Sequence, residues 1–149
     1  LARINSHELS KLSHKDQVRF AMFCANQVRP KWVYLKELVT AFETVEMWLN
    51  NEITYKECQI IIQEAVDFWN EGRVDEVNQA PYHALNCVTS HEKASAGYAV
   101  YASGAVYNSI DARFSYEERN VIVQQQIDYY TELRYVDEIL EKIILKGDI

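Results

Sequence analysis

The sequence predicts an all-α fold, a single-domain bundle of about six to seven helices around a central small-residue helical hairpin. That one domain spans residues 1–149, with an irregular N-terminal segment at 1–12. Three observations carry this expectation. The thirty-four residues from Val77 to Ile110 hold only two formally charged side chains, the adjacent Glu92 and Lys93, while Asp75, Glu76 and Asp111 press against the ends. A segment so poor in charge is one whose surface is mostly buried. Only four Gly and two Pro occur in the chain, too few for a many-turned β-sandwich and suited to long elements with short joints. Finally, the charged segments on either side carry apolar residues at helical period.

The first helix starts at Ser13, with Asp16 three residues on in place of the usual capping-box Glu or Gln. It runs through Val18, Ala21, Phe23, Cys24 and Ala25 to about Val28 and stops before Pro30. A second helix carries Leu35, Leu38, Phe42, Val45 and Leu49, one stripe at helical spacing, and Asn50-Asn51 ends it. Thr54 and Glu57 form a capping box for a third helix. This one holds Cys58, Ile61, Ile62, Ala65, Phe68 and Trp69 and stops near Gly72.

The hairpin follows, first NQAPYHALNCVTS and then KASAGYAVYASGAVYNSI. Gly97 and Gly104 share a stripe of its second helix, and each costs about 1 kcal/mol relative to Ala. Close approach of a neighbouring helix backbone would justify them. Tyr98, Tyr101 and Tyr107 read as packed core, or else as a recognition surface. A further capping box, Ser115 to Glu118, opens a helix through Ile122, Ile127, Tyr130 and Leu133. A separate terminal helix carries Val136, Ile139, Leu140, Ile143 and Ile144.

Charge is uneven. Residues 1–36 carry seven bases and two acids, whereas the remainder carries eight bases and twenty acids, giving −7 in all. An acidic domain repels phosphate backbones, so direct nucleic-acid binding is disfavoured and a basic protein partner is the complementary expectation. The same charge also serves solubility. The three cysteines form no paired framework, which fits a reducing, cytoplasmic setting. The opening LARINSHELSKLSHKD lacks the apolar stretch of a secretory signal. The uncharged run Ala94–Ile110 is too short and too poor in large aliphatics to span a membrane.

Candidate chemistry is sparse. His83, Cys87 and His91 recur every fourth residue, but at ~1.5 Å rise the outer two stand about 12 Å apart along the axis, too far to share one metal. No nucleophile elbow, phosphate-binding Gly loop or dinucleotide fingerprint is present, so no catalytic residue, cofactor or metal is expected. The acid-dense stretch Glu64, Asp67, Glu71, Asp75 and Glu76, opposed only by Arg73 and centred on Trp69, is a candidate docking surface. The alternative turns Trp69 into the core and leaves the acids solvated. Tyr82, Asp111, Glu117 and Glu118 complete the candidate partner-contacting set.

Four strings resemble an all-helical family of bacterial polymorphic-toxin immunity proteins, the fifth numbered group. They are Arg19-Phe-Ala-Met-Phe-Cys24-Ala-Asn-Gln-Val-Arg-Pro30, Glu46-Met-Trp48-Leu-Asn-Asn-Glu52-Ile53, Ala94-Ser-Ala-Gly97-Tyr98-Ala-Val100 and Gln124-Gln-Gln-Ile-Asp-Tyr129. The family pattern often has His where this chain has Tyr98 and Ser103, so no site on those histidines is carried over. The resemblance implies a cytoplasmic antitoxin that binds and blocks a cognate toxin domain, as in contact-dependent growth inhibition. Many such toxins are nucleases with basic clefts, for which an acidic inhibitor can compete. Two other readings stand beside it: a helical metal- or ligand-binding enzyme using His83, Cys87 or His91, and a helical adaptor.

Overall fold

The computed structural model describes residues 2–110 and 116–145. The described residues form seven α-helices and no strand: α1 (Ser6–Leu9), α2 (His14–Gln27), α3 (Lys36–Leu49), α4 (Tyr55–Asn70), α5 (Gln79–Thr89), α6 (Glu92–Ser109) and α7 (Tyr116–Leu145). A single 3-10 turn, Arg29–Lys31, follows α2. The predicted all-α class is the observed one.

Local chemistry sets most boundaries. The Ser13 hydroxyl accepts from the Asp16 amide at 3.2 Å and starts α2. Beyond Pro30 the chain turns back, because the buried Trp32 indole N–H donates to the Ala25 carbonyl at 2.9 Å. Trp32 then meets Phe42 of α3 with ring centroids 4.8 Å apart. Asn51 takes the left-handed conformation (φ 63°) that Asn tolerates better than most residues, and this turns α3 into α4. The Thr54 hydroxyl accepts from the Glu57 amide at 3.1 Å while the Glu57 carboxylate accepts from the Thr54 amide at 3.3 Å, the reciprocal box expected.

The hairpin α5–α6 is the most extensively packed pair, and α2 lies against both of its helices. Small side chains permit this: Ser95, Ala96, Ala99, Ala102 and Ser103 of α6 are all buried. Pair α3–α4 packs against α5, α7 against α2, and α1 against α6. The carbonyls that end α5 are satisfied by neighbours. His14 Nε2 lies 2.9 Å from the Cys87 carbonyl, and the Tyr55 hydroxyl donates to that of Val88 at 2.9 Å. On the α2–α7 seam, the Gln126 amide donates to Gln27 Oε1 at 3.0 Å, and that of Gln27 donates to the Ile122 carbonyl at 3.1 Å. Phe23 and Tyr129 stack there at 4.4 Å.

Three expectations need correction. Residues 1–12 contain a helical turn, α1, because Asn5 caps it at the Glu8 amide and buried Leu9 anchors it. The two expected final helices are one, α7, since nothing between Leu133 and Val136 breaks a helix. The α6 glycines do not admit a helix backbone. A Cβ on Gly97 would meet nothing within 4 Å, and one on Gly104 would meet the Arg3 guanidinium at 2.8 Å. Asp111 and Ser115 lie outside the described residues.

Candidate functional site

Of the seven bases in residues 1–36, six are engaged within the fold, Arg29 through Asn26 at 3.2 Å and the Trp32 ring, while Lys36 is exposed. Arg19 pairs with Asp16 at 2.7 Å, and Lys11 with Glu8 at 3.2 Å. Lys15 donates to Asn51 at 2.7 Å and lies over the Trp48 ring. Lys31 donates to the Ser109 carbonyl at 3.0 Å, where the C-terminal end of α6 favours a cation. Arg3 reaches the Ser103 hydroxyl at 3.3 Å and covers the Tyr107 ring, which Arg119 also approaches. The acids of α3 and α4 are differently placed. Glu37, Glu43, Glu46, Glu57, Glu64 and Asp67 are all exposed, opposed on these helices only by Lys36 and Lys56.

The predicted acidic stretch does not form one patch. Glu64 and Asp67 are exposed on α4, and Asp67 accepts from Gln63 at 2.9 Å. Glu71 pairs with Arg73 at 2.7 Å, and the same guanidinium caps α4 at the Phe68 carbonyl, also at 2.7 Å. Asp75 holds a turn, accepting from the amides of Val77 at 2.9 Å and Asn78 at 3.2 Å. Glu76 lies elsewhere, in a hollow with Lys31, Ala105, Asn108 and Ser109. Glu118 sits beside Lys31 and Ser109 too, with Glu117 exposed next to it, so these acids gather where α2 and α6 end. Tyr82 is half-buried and its hydroxyl donates to Asn70 of α4.

Trp69 is no surface anchor. It is 6% exposed and faces the core, as the alternative reading had it, whereas Phe68 and Ile61 are 44% and 48% exposed. The helical period explains the exchange. Cys58, Ile62, Val66 and Trp69 take the inward stripe, so Ile61 and Phe68, seven residues apart, fall on the flank that turns toward α3. Between α3 and α4 this flank opens a groove of about 620 Å³. Ala41, Ile61, Ala65, Phe68 and Trp69 give it an apolar lining, Thr40 and Thr44 line it from α3, and Lys36, Glu37 and Glu64 are its charged residues. At one end the Arg73 guanidinium covers Phe68, 4.0 Å from the ring centroid. The buried Trp69 indole N–H has no acceptor among the described residues.

Sequence reasoning missed Glu37, Thr40 and Thr44. The available signal was Ile61 and Phe68, two large apolar residues offset from the buried stripe.

His83, Cys87 and His91 are not brought together. Cys87 is buried and hydrogen-bonded to Ser95 Oγ at 3.0 Å, and burial pushes its thiol up to about 12. Burial likewise raises Cys58 to about 11 and drives Cys24 well up, so none of the three thiols favours its reactive thiolate. His91 is exposed at the N-cap of α6. His83 packs among Tyr82, Tyr98 and Tyr101 with centroids 5.5 to 6.3 Å away. Desolvation lowers its pKa, and its Nδ1 has no partner among the described residues. Of the expected tyrosine core, Tyr98 and Tyr107 are half-buried and Tyr101 is 58% exposed. Among the described residues no three His, Cys, Asp or Glu side chains group as metal ligands. No helix among them is long and apolar enough to cross a membrane.

No family model, curated protein or solved structure matches this chain.

Proposed function

We propose that this chain is an immunity protein, a non-enzymatic inhibitor that binds a cognate bacterial toxin domain in the cytoplasm and covers its active site or substrate-binding surface. The observation that carries the reading is the partition of charge. Six of the seven N-terminal bases are engaged by the protein's own side chains, carbonyls and rings, Lys36 being the exposed exception. Six acids of α3 and α4 face solvent beside exposed Ile61 and Phe68. Such a surface suits a basic protein: opposite charge speeds encounter, and aromatic and aliphatic side chains supply the contact that lasts. The resemblance of the four sequence strings to polymorphic-toxin immunity proteins supplies the class of partner. A nuclease is the toxin of choice, since its cleft must be cationic to hold a phosphate backbone.

Co-expression with the toxin encoded immediately upstream tests the proposal. Cells should survive toxin induction when this protein is present and die when it is omitted. Death in both cases ends the immunity reading.

A further inference from the structure

We infer that the groove between α3 and α4 receives a cationic amphipathic helix of the partner, an inference that rests on the immunity reading and names what the site holds. Geometry selects a helix. Two packed helices, α3 and α4, leave a furrow along their outer seam, and a third helix fills such a furrow by the same ridge-and-groove fit that joins the first two. Ala41 and Ala65 give the furrow depth, because longer side chains at either position would fill it. Ile61 and Phe68 offer apolar surface at a seven-residue repeat, the spacing at which an incoming helix presents its own anchors.

Charge selects the sign. Lys36, Glu37 and Glu64 line the groove, and Arg73 covers Phe68 at one end. Glu43, Glu46, Glu57 and Asp67 lie on the same two helices with Lys56, so six acids stand against two bases on α3 and α4. An acidic amphipathic helix would find the same apolar floor in an unfavourable field. Trp69, nine-tenths buried, forms part of the groove wall.

The experiment uses the purified full chain and a fluorescent synthetic peptide with Leu at helical period on one face and Lys on the other. Fluorescence anisotropy at low salt should report binding. A peptide of identical composition with the Leu positions scrambled should bind about tenfold more weakly, because charge attraction alone lacks the apolar anchor. Ala65→Phe should fill the groove and weaken the periodic peptide by a similar factor. Thr40→Trp, on the exposed α3 wall, does the same job should Ala65→Phe fail to fold by circular dichroism. Equal affinity for both peptides, or no loss in a folded groove-filled variant, overturns the inference.

Co-expression with the upstream toxin separates this from the broader proposal. If wild type protects and the folded variants protect equally well, the groove is wrong and the immunity reading survives. If wild type gives no protection, the immunity reading falls and the peptide titration alone decides the groove.

Discussion

At the scale of single residues, several side chains do work that their neighbours in sequence do not announce. Gly97 sits in the interior of α6 with open space where a Cβ would go. Gly97→Ala should therefore recover helix propensity with no clash, stabilising by about 0.5–1 kcal/mol. A thermal melt should show a rise of about 1–4 °C for a chain of this length, and a fall would mean that a neighbour needs that space. His83 makes a second case. Burial among tyrosines lowers its pKa below the ordinary 6.5, so the unfolded chain binds the proton more readily. Stability held above that ordinary value should drain away as pH falls through it toward the lowered one. NMR titration should place the His83 midpoint below 6.5, and His83→Phe should flatten the pH dependence of the melt in that window. Both residues were legible as positions in helices; their surroundings were not.

At the scale of elements, caps and packing act at different ends of the same helix. The Thr54–Glu57 box fixes the start of α4 with reciprocal bonds on its surface. Thr54→Ala removes the hydroxyl acceptor and should cost about 1 kcal/mol, read as a lowered denaturant midpoint with unchanged slope. Helix α7 is held differently. Its first half rests on α2 through Gln126 and Tyr129 and on α1 through the Tyr130 hydroxyl, which donates to Glu8, whereas Tyr135, Val136, Leu140 and Ile144 beyond are exposed. Where the halves meet, desolvation and the nearby Asp16 carboxylate raise the Asp137 pKa above 3.8, with Arg134 opposing and Glu141 adding to the shift. A carboxyl whose folded pKa is raised favours the native state below its ordinary value. That advantage is lost as pH rises through the raised one. Asp137→Asn should thus raise the melting temperature at neutral pH relative to wild type, with the gap closing in acid; a lower neutral melting temperature would contradict this. Caps, stripes and the hairpin were readable because they are local patterns. The continuity of α7 was open to the same reading, since no breaker separates Leu133 from Val136; that its second half leaves the core was not, because an exposed stripe keeps the period of a buried one.

At the scale of the whole molecule, electrostatics and surface shape converge on α3 and α4. Reversal of Glu37, Glu64 and Asp67 to Lys should slow association with the cognate toxin and remove most of its acceleration at low salt. Stopped-flow mixing at two ionic strengths measures both effects, and an unchanged on-rate would eliminate this face. Asp75 and Glu71 are poor probes of encounter: one holds a turn through two amides and the other is paired with Arg73. The acid-dense run in the chain marked the neighbourhood correctly, since Glu64 and Asp67 belong to the exposed face. It could not separate them from Glu71, Asp75 and Glu76, whose carboxylates have other partners or other surroundings.

Composition and periodicity alone determined that this protein is all-helical, where most helices begin and end, and that its uncharged segment is the centre. Those properties depend on which residues sit three or four apart, a relation the chain fixes by itself. Only the tertiary structure decided that Trp69 turns inward while Phe68 and Ile61 turn out, that every N-terminal base but Lys36 is engaged internally, and that a groove opens between α3 and α4. Those outcomes depend on which helix lies against which, and that pairing brings together residues that the sequence keeps far apart.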